Sequence, residues 1–121
     1  KSTADKVASM MESVATVGSG KRINVYAKGF SIGGKTGTSE PKNANSNEGY
    51  TASFVAISPV ENTKIVLLVI LKNPKGNQHN GGQIAAPTAS KMLAEILPYM
   101  GIESGNKVTE VDINSSGNDL Y

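Results

Sequence analysis

Ile32-Gly33-Gly34-Lys35-Thr36-Gly37-Thr38-Ser39 is the stretch around which this sequence is organised. Its two adjacent glycines have no side chains, so another segment can approach the backbone closely there. Lys35 adds a positive charge, and Thr36 and Thr38 point to the same face if the segment is extended. A cation and two hydroxyls on one edge suit the binding of a carboxylate or the polarisation of an acyl carbonyl. The stretch therefore predicts a binding or catalytic strand.

The residues from Gly29 to Thr36 also satisfy the P-loop string G-x-x-x-x-G-K-[ST]. A P-loop needs a helix directly after the lysine, with its N-terminus facing the phosphates. Here Gly37, Pro41 and an asparagine-rich run follow, and these residues are poor helix formers. No later apolar strand ends in an aspartate that would serve a magnesium ion. The sequence therefore predicts no nucleotide binding.

Lys35-Thr36-Gly37 also matches the K-T-G element of serine acyl-transferring enzymes that react with penicillin. A motif of three residues is weak evidence by itself. The alternative is a purely structural interpretation, in which the segment is a glycine-rich strand with an exposed lysine. The flanking elements must decide between these two interpretations.

The amino-acid composition limits the classes of protein to which this chain can belong. The chain has 121 residues, 38% of them hydrophobic, which favours a single domain or part of one. A formal net charge of +2, without a basic run interleaved with aromatics, argues against nucleic-acid binding. There is no cysteine, and His79 is the single histidine, so the sequence predicts neither a metal site nor a cofactor.

The chain begins at Lys1 without an initiator methionine, and its first residues already have a helical pattern. The longest apolar run, from Ile65 to Leu71, is far too short to span a membrane. We therefore expect a piece of a longer protein.

A first helix is predicted to begin at Ser2 or Thr3 and to end at the glycines of positions 18 and 20. Its expected buried stripe is Val7, Met10, Met11, Val14 and Val17. The segment Ile23 to Tyr26 is predicted as a short strand.

Two further strands are predicted from Tyr50 to Pro59 and from Lys64 to Leu71, joined as an antiparallel hairpin. Because the second is almost continuously aliphatic, we expect it to be central and covered on both faces. As the last of three strands it would instead have a bare edge, unless strands from an absent N-terminal portion pair with it.

A second helix is predicted to have Pro87 in its first turn and to end at Gly101. Pro98 is expected to kink or fray its last turn. Its expected stripe is Ala89, Met92, Leu93, Ile96, Leu97 and Met100. Residues 103–121 are predicted to be a polar tail or linker after a domain portion of residues 1–102. The predicted fold class is α+β, an antiparallel sheet covered by helices in an α/β sandwich.

With its predicted helices, strands and K-T-G motif in this order, the chain resembles the C-terminal part of the transpeptidase domain of class B penicillin-binding proteins. These are the cell-wall D,D-transpeptidases of division, elongation and sporulation. The segments that carry the resemblance are Gly18-Ser19-Gly20-Lys21, Gly34-Lys35-Thr36-Gly37-Thr38, Tyr50 to Pro59, Lys64 to Lys72, Gly81 to Pro87, and Tyr99-Met100-Gly101-Ile102.

The resemblance implies roles for the K-T-G residues. Lys35 would keep the site electropositive, and Thr36 and Thr38 would bind the terminal carboxylate of a D-alanyl-D-alanine stem peptide or of a β-lactam. The backbone N–H of Thr38 would be one donor of the oxyanion hole. Gly37 would let the substrate lie close to the strand. The predicted catalytic residues are thus Lys35, Thr36, Gly37 and Thr38, and Ser39 joins Lys35, Thr36 and Thr38 in the predicted substrate-binding set.

The family also needs a nucleophilic serine in S-x-x-K at a helix start and an S-x-N motif on a loop. The strings Ser39-Glu40-Pro41-Lys42 and Ser104-Gly105-Asn106-Lys107 fit the first pattern, and Ser116-Gly117-Asn118 fits the second, but none opens an amphipathic helix. We therefore expect the nucleophile to lie upstream and this chain alone to be inactive. The implied partners are the stem peptide, β-lactams and the missing N-terminal part, which would anchor the protein at the extracytoplasmic face of the bacterial membrane.

Two other interpretations remain open. A serine β-lactamase or β-lactam sensor domain shares the K-T-G strand, and a non-catalytic module could hold peptides along the strand edge. The segment from Lys107 to Ile113 could begin a small module of the PASTA type.

Overall fold

The computed structural model describes residues 2–43 and 49–105 of the chain. It contains two α-helices and one sheet: α1 (Ser2–Thr16), β1 (Gly33–Ser39), β2 (Thr51–Ser58), β3 (Ile65–Lys72) and α2 (Ala86–Tyr99). A 3-10 helix, Lys21–Asn24, precedes β1, and a π-helical turn, Gly81–Ala85, leads into α2. None of the described helices is long and apolar enough to cross a membrane.

The three strands form an antiparallel sheet in the order β1-β2-β3. The hairpin between β2 and β3 closes with a hydrogen bond from the backbone N–H of Lys64 to the carbonyl of Ser58, at 2.9 Å. This arrangement of helices and an antiparallel sheet confirms the predicted α+β class.

The core lies between one face of the sheet and α2. Ala52, Phe54 and Ala56 alternate along β2 and are fully buried, and they define what we call the α2 face. Leu93 and Leu97 of α2 are fully buried in the same cluster. Because alternate strand residues point to one side of a sheet, these three side chains of β2 all pack on this face.

The other face, which we call the open face, is exposed on β3. Val66, Leu68 and Ile70 alternate along that strand with exposed fractions of 66%, 58% and 52%. The predicted cover on both faces is therefore not found within the described residues, and β3 has the bare edge expected of the last of three strands. In the described residues, the almost continuously aliphatic strand β3 is thus covered on one face and exposed on the other.

The second helix ends in a Schellman motif. Gly101 has a φ of 76°, and its N–H donates to the carbonyl of Pro98, while the N–H of Ile102 donates to that of Leu97. Ile102 also packs against the core. Pro98 lies inside the last turn, and the helix continues to Tyr99.

The predicted helical stripes are only partly buried. In α1, Val7 and Met10 are exposed, Met11 and Val14 are half-buried, and Ala15 is the buried residue; Val17 lies beyond the helix and is exposed. In α2, Ala89, Leu93 and Leu97 are buried as predicted, whereas Met92 and Met100 are exposed. Each helix thus turns a narrower face to the core than its apolar residues predict.

The prediction of a strand from Ile23 to Tyr26 is wrong. Lys21–Asn24 is a 3-10 helix, and the buried residues of this connector, Ile23 and Ala27, are four apart rather than two. The backbone N–H groups of Tyr26 and Ala27 donate to the hydroxyl of Ser90 in α2, at 2.9 and 3.1 Å. A side chain of the helix therefore takes the place of a strand partner here.

Candidate functional site

The K-T-G residues lie in the middle of β1, an edge strand of the described sheet. Thr36 is opposite Phe54 and Thr38 is opposite Ala52, so both threonine side chains project on the α2 face. Lys35 is opposite Val55 and projects on the open face. The predicted cation and hydroxyls therefore share a strand but lie on opposite sides of it.

Lys35 is exposed, and its Nζ donates to the backbone carbonyl of Thr36 at 2.8 Å. Ser39, the last residue of β1, is opposite Thr51, which places it on the same side as Lys35. The structure thus brings Thr36 and Thr38 together, and it separates Ser39 from them.

The two threonines line an open cleft of about 380 Å³. Its walls come from the turn after α1, from β1 and from the segment that leads into α2. The lining residues are Gly18, Ser19, Lys21, Arg22, Thr36, Thr38, Asn80, Gly82 and Gln83. They include two cations and no carboxylate, so the cleft is suited to a negatively charged ligand.

Each threonine hydroxyl has a partner inside the chain. The Oγ of Ser19 lies 3.1 Å from Oγ1 of Thr36, and the backbone N–H of Gly81 donates to Oγ1 of Thr38 at 3.1 Å. Sequence reasoning assigned Ser19 to a turn and gave it no role in the site. Seventeen residues separate it from Thr36, and no short motif links the two.

Gly81 reaches Thr38 because it has no side chain. A Cβ at this position would collide with the backbone oxygens of Ser53 and Gly37. The loop before it is held by His79, whose ring stacks on Tyr50 with centroids 4.1 Å apart and planes at 9°. His79, the single histidine of the sequence, therefore helps to place the wall of the cleft.

The packing of β1 against β2 explains why position 37 is a glycine. A Cβ there would meet the hydroxyl of Ser53 on β2, the strand next to it. The predicted close approach of a substrate to Gly37 remains a prediction.

The strings that resemble a nucleophile motif do not form one in the described residues. Ser39 ends a strand, and Glu40 to Lys42 form no helix. Lys107 and Ser116-Gly117-Asn118 lie outside the described residues, as does the segment from Lys107 to Ile113 that could begin a further module. Residues 2–43 and 49–105 also contain no group of three or more histidine, aspartate or glutamate side chains placed to hold a metal ion.

The strand also continues through Thr36 to Ser39. A P-loop requires a helix to begin at this point, with its N-terminus on the phosphates. The string from Gly29 to Thr36 therefore lacks the structure that nucleotide binding needs.

Comparison with known proteins gives one consistent family. The family model described as the penicillin-binding protein transpeptidase domain matches residues 1–94. The chain is 30% identical over 103 residues to the stage V sporulation protein D of Bacillus subtilis, which covers 84% of this chain. It is 35% identical over 99 residues to the peptidoglycan D,D-transpeptidase FtsI of Buchnera aphidicola from Schizaphis graminum, which covers 80% of it.

Among solved structures, the chain is similar to the TP domain of penicillin-binding protein 3 from Burkholderia pseudomallei. The TM-score is 0.72 at 30% sequence identity, over 88% of this chain. The match covers 32% of that domain, and the chain spans 16% and 17% of the two curated relatives. The described fold is thus similar to about a third of a larger domain.

Proposed function

Because the chain belongs to the penicillin-binding protein transpeptidase family, we propose that it forms the K-T-G wall of the active site of a serine-type peptidoglycan D,D-transpeptidase. The intact protein would cross-link stem peptides through a serine acyl-enzyme and would be acylated by penicillin. The observation that carries the proposal is the placement of Thr36 and Thr38 side by side on an edge strand, above a cleft with Lys21 and Arg22 in its walls.

The threonine pair would bind the terminal carboxylate of the D-alanyl-D-alanine end of a stem peptide, or the carboxylate of a β-lactam. Hydrogen bonds from hydroxyls to a carboxylate are charge-assisted and stronger than those between neutral groups. The two side chains point to the same side of β1, so both can meet one carboxylate.

The free edge of β1 would hold the substrate backbone. In an antiparallel pair, alternate residues direct their N–H and C=O groups away from the neighbouring strand. The Thr36 carbonyl accepts a hydrogen bond from Nζ of Lys35, which supports an outward direction for Thr36 and, two residues on, for Thr38. The Thr38 N–H would then be an oxyanion-hole donor, a contribution of about 3 to 4 kcal/mol to transition-state stabilisation.

In the reaction, a serine oxygen attacks the penultimate D-alanine carbonyl, an ester forms, and the terminal D-alanine leaves with the proton that the serine lost. The amine of a second stem peptide then attacks the ester carbonyl, an amide bond forms, and the serine oxygen leaves with a proton from the amine. Because no serine of the described residues opens a helix in S-x-x-K, we assign the nucleophile to chain N-terminal to Lys1.

The same missing part would cover the open face of the sheet and meet Lys35 there. The matched solved domain extends well beyond the 32% that this chain covers, which leaves ample chain to do so. We further propose that this part contains a membrane anchor and that the domain works at the extracytoplasmic face of a bacterial membrane.

The proposal is tested in the intact protein with the substitution Lys35→Ala. We expect acylation by a fluorescent penicillin to fall at least about 100-fold, because the site loses the cation that would lie next to the nucleophilic serine. Lys42→Ala, an exposed lysine beyond the end of β1, is the matched control and should leave the rate unchanged. Acylation of the Lys35→Ala protein at the wild-type rate would overturn the assignment. Rapid release of the label in the wild type would instead identify a β-lactamase.

A further inference from the structure

The position of Ser19 is fixed by the end of α1. The N–H of Gly18 donates to the carbonyl of Ser13 and the N–H of Gly20 donates to that of Val14, both at 3.1 Å. These bonds continue the helix end into a tight turn that holds the Ser19 hydroxyl beside Thr36. The contact is therefore built by backbone structure on both sides of Ser19.

The hydroxyls of Thr36 and Thr38 differ in which hydrogen-bonding groups, the proton or the lone pairs, they leave for a ligand. A hydroxyl has one proton to donate and two lone pairs to accept with. Thr38 accepts the N–H of Gly81, so its own proton is left for another acceptor. The bond between Ser19 and Thr36 can run in either direction. If Thr36 donated to Ser19, it would present only lone pairs to a carboxylate, which would repel it.

We propose that Ser19 is a positioning residue that donates its hydrogen bond to Thr36, so that Thr36 and Thr38 both present O–H donors to the carboxylate of the substrate. The proposal rests on the proposed function, because it concerns the same carboxylate. A chain from the Ser19 hydroxyl through the Thr36 hydroxyl to the carboxylate strengthens each bond by polarising the next.

Contacts across the cleft keep this geometry. Gly82, at the start of the π-helical turn, lies so close to the Ser19 carbonyl that a Cβ there would collide with it. Nη1 of Arg22 donates to the carbonyl of Gln83 at 3.4 Å. The turn that contains Ser19 and the segment that leads into α2 are therefore in contact at two points, one of them beside Thr36, as a preorganised binding site requires.

The test uses the intact protein and two probes, a penicillin with a free carboxylate and the methyl ester of the same penicillin. For Ser19→Ala we expect the second-order acylation rate with the free acid to fall roughly 5- to 10-fold, the effect of one lost hydrogen bond. The rate with the ester should stay within about twofold, because the ester has no charge for Thr36 to bind. Ser19→Thr keeps a hydroxyl and should restore the ratio of the two rates.

Two further variants separate positioning from a structural role. In a Thr36→Val background, Ser19→Ala should cause no additional loss, because the residue through which it acts is gone. Ser13→Ala removes an exposed hydroxyl of α1 and serves as the control, with both rates unchanged.

An equal loss with acid and ester, or no loss with the acid, would overturn the role of Ser19 while leaving the proposed function intact. A wild-type protein that reacts with neither probe would overturn the proposed function itself, and the role of Ser19 with it.

Discussion

The hydroxyl of Ser90 connects the segment before β1 to α2. It is fully buried and accepts the backbone N–H groups of Tyr26 and Ala27. The connector between the 3-10 helix and β1 belongs to no strand, so the N–H groups of Tyr26 and Ala27 have this hydroxyl as their acceptor. Buried donors without an acceptor are costly, which makes Ser90 a structural residue of the described fold.

We expect Ser90→Ala to lower the free energy of unfolding of the intact protein by about 1 to 3 kcal/mol, because the buried N–H group of Ala27 and the part-buried N–H group of Tyr26 lose their acceptor. Urea unfolding followed by circular dichroism measures this. Thr88→Ala removes an exposed hydroxyl two residues earlier in the chain that donates to the Ile84 carbonyl, and it should change this free energy by no more than about 0.5 kcal/mol. Equal effects of the two substitutions would contradict the role of Ser90.

The roles of some of these residues can be predicted from the sequence, and the roles of others cannot. Lys35, Thr36 and Thr38 are adjacent and form a motif, and the period of a strand alone predicts that the threonines share a face. Ser19 and Ser90 are isolated serines whose partners lie 17 and more than 60 residues away. Long-range contacts of single polar residues have no spacing signal, so only the folded chain reveals them.

At the scale of the elements, β3 is the strand whose surroundings differ most from expectation. Its aliphatic run predicts cover on both faces, and the described chain covers only the α2 face. Three large aliphatic side chains in a row on an open face form a patch that soluble proteins normally bury. We propose that a further part of the intact protein covers this face; the chain matches only 32% of the similar solved domain.

The substitution Leu68→Ala in the intact protein tests this explanation. If another segment covers the open face, the free energy of unfolding should fall by about 2 to 5 kcal/mol, as for a buried leucine. If the side chain is as exposed as it is here, the change should stay near 0.5 kcal/mol or below. Glu61→Ala, at the exposed turn before β3, is the control and should have no measurable effect. Chemical unfolding of the three proteins decides between the outcomes.

The connector before β1 shows why short apolar segments are hard to assign from sequence. The segment Ile23 to Tyr26 has the β-branched residues of a strand, yet its backbone forms a 3-10 helix. Two buried residues four apart, Ile23 and Ala27, fit a helical period better than a strand period. Pairing with α2, not local propensity, determines the structure there.

In the molecule as a whole, β1 divides its functional groups between two environments. The threonines face a cleft that this chain builds by itself, and Lys35 faces the open side of the sheet. Under the proposed function, we expect a further part of the intact protein to lie on the open side and to supply the nucleophile next to Lys35. The 32% coverage of the matched solved domain is consistent with this division.

The most direct test is to map the serine that penicillin acylates in the intact protein. After reaction with a β-lactam, proteolysis and mass spectrometry should locate the adduct on a serine N-terminal to this chain, in an S-x-x-K sequence, and residues 1–121 prepared alone should take up no label. An adduct on any serine of residues 1–121, in either preparation, would contradict the account.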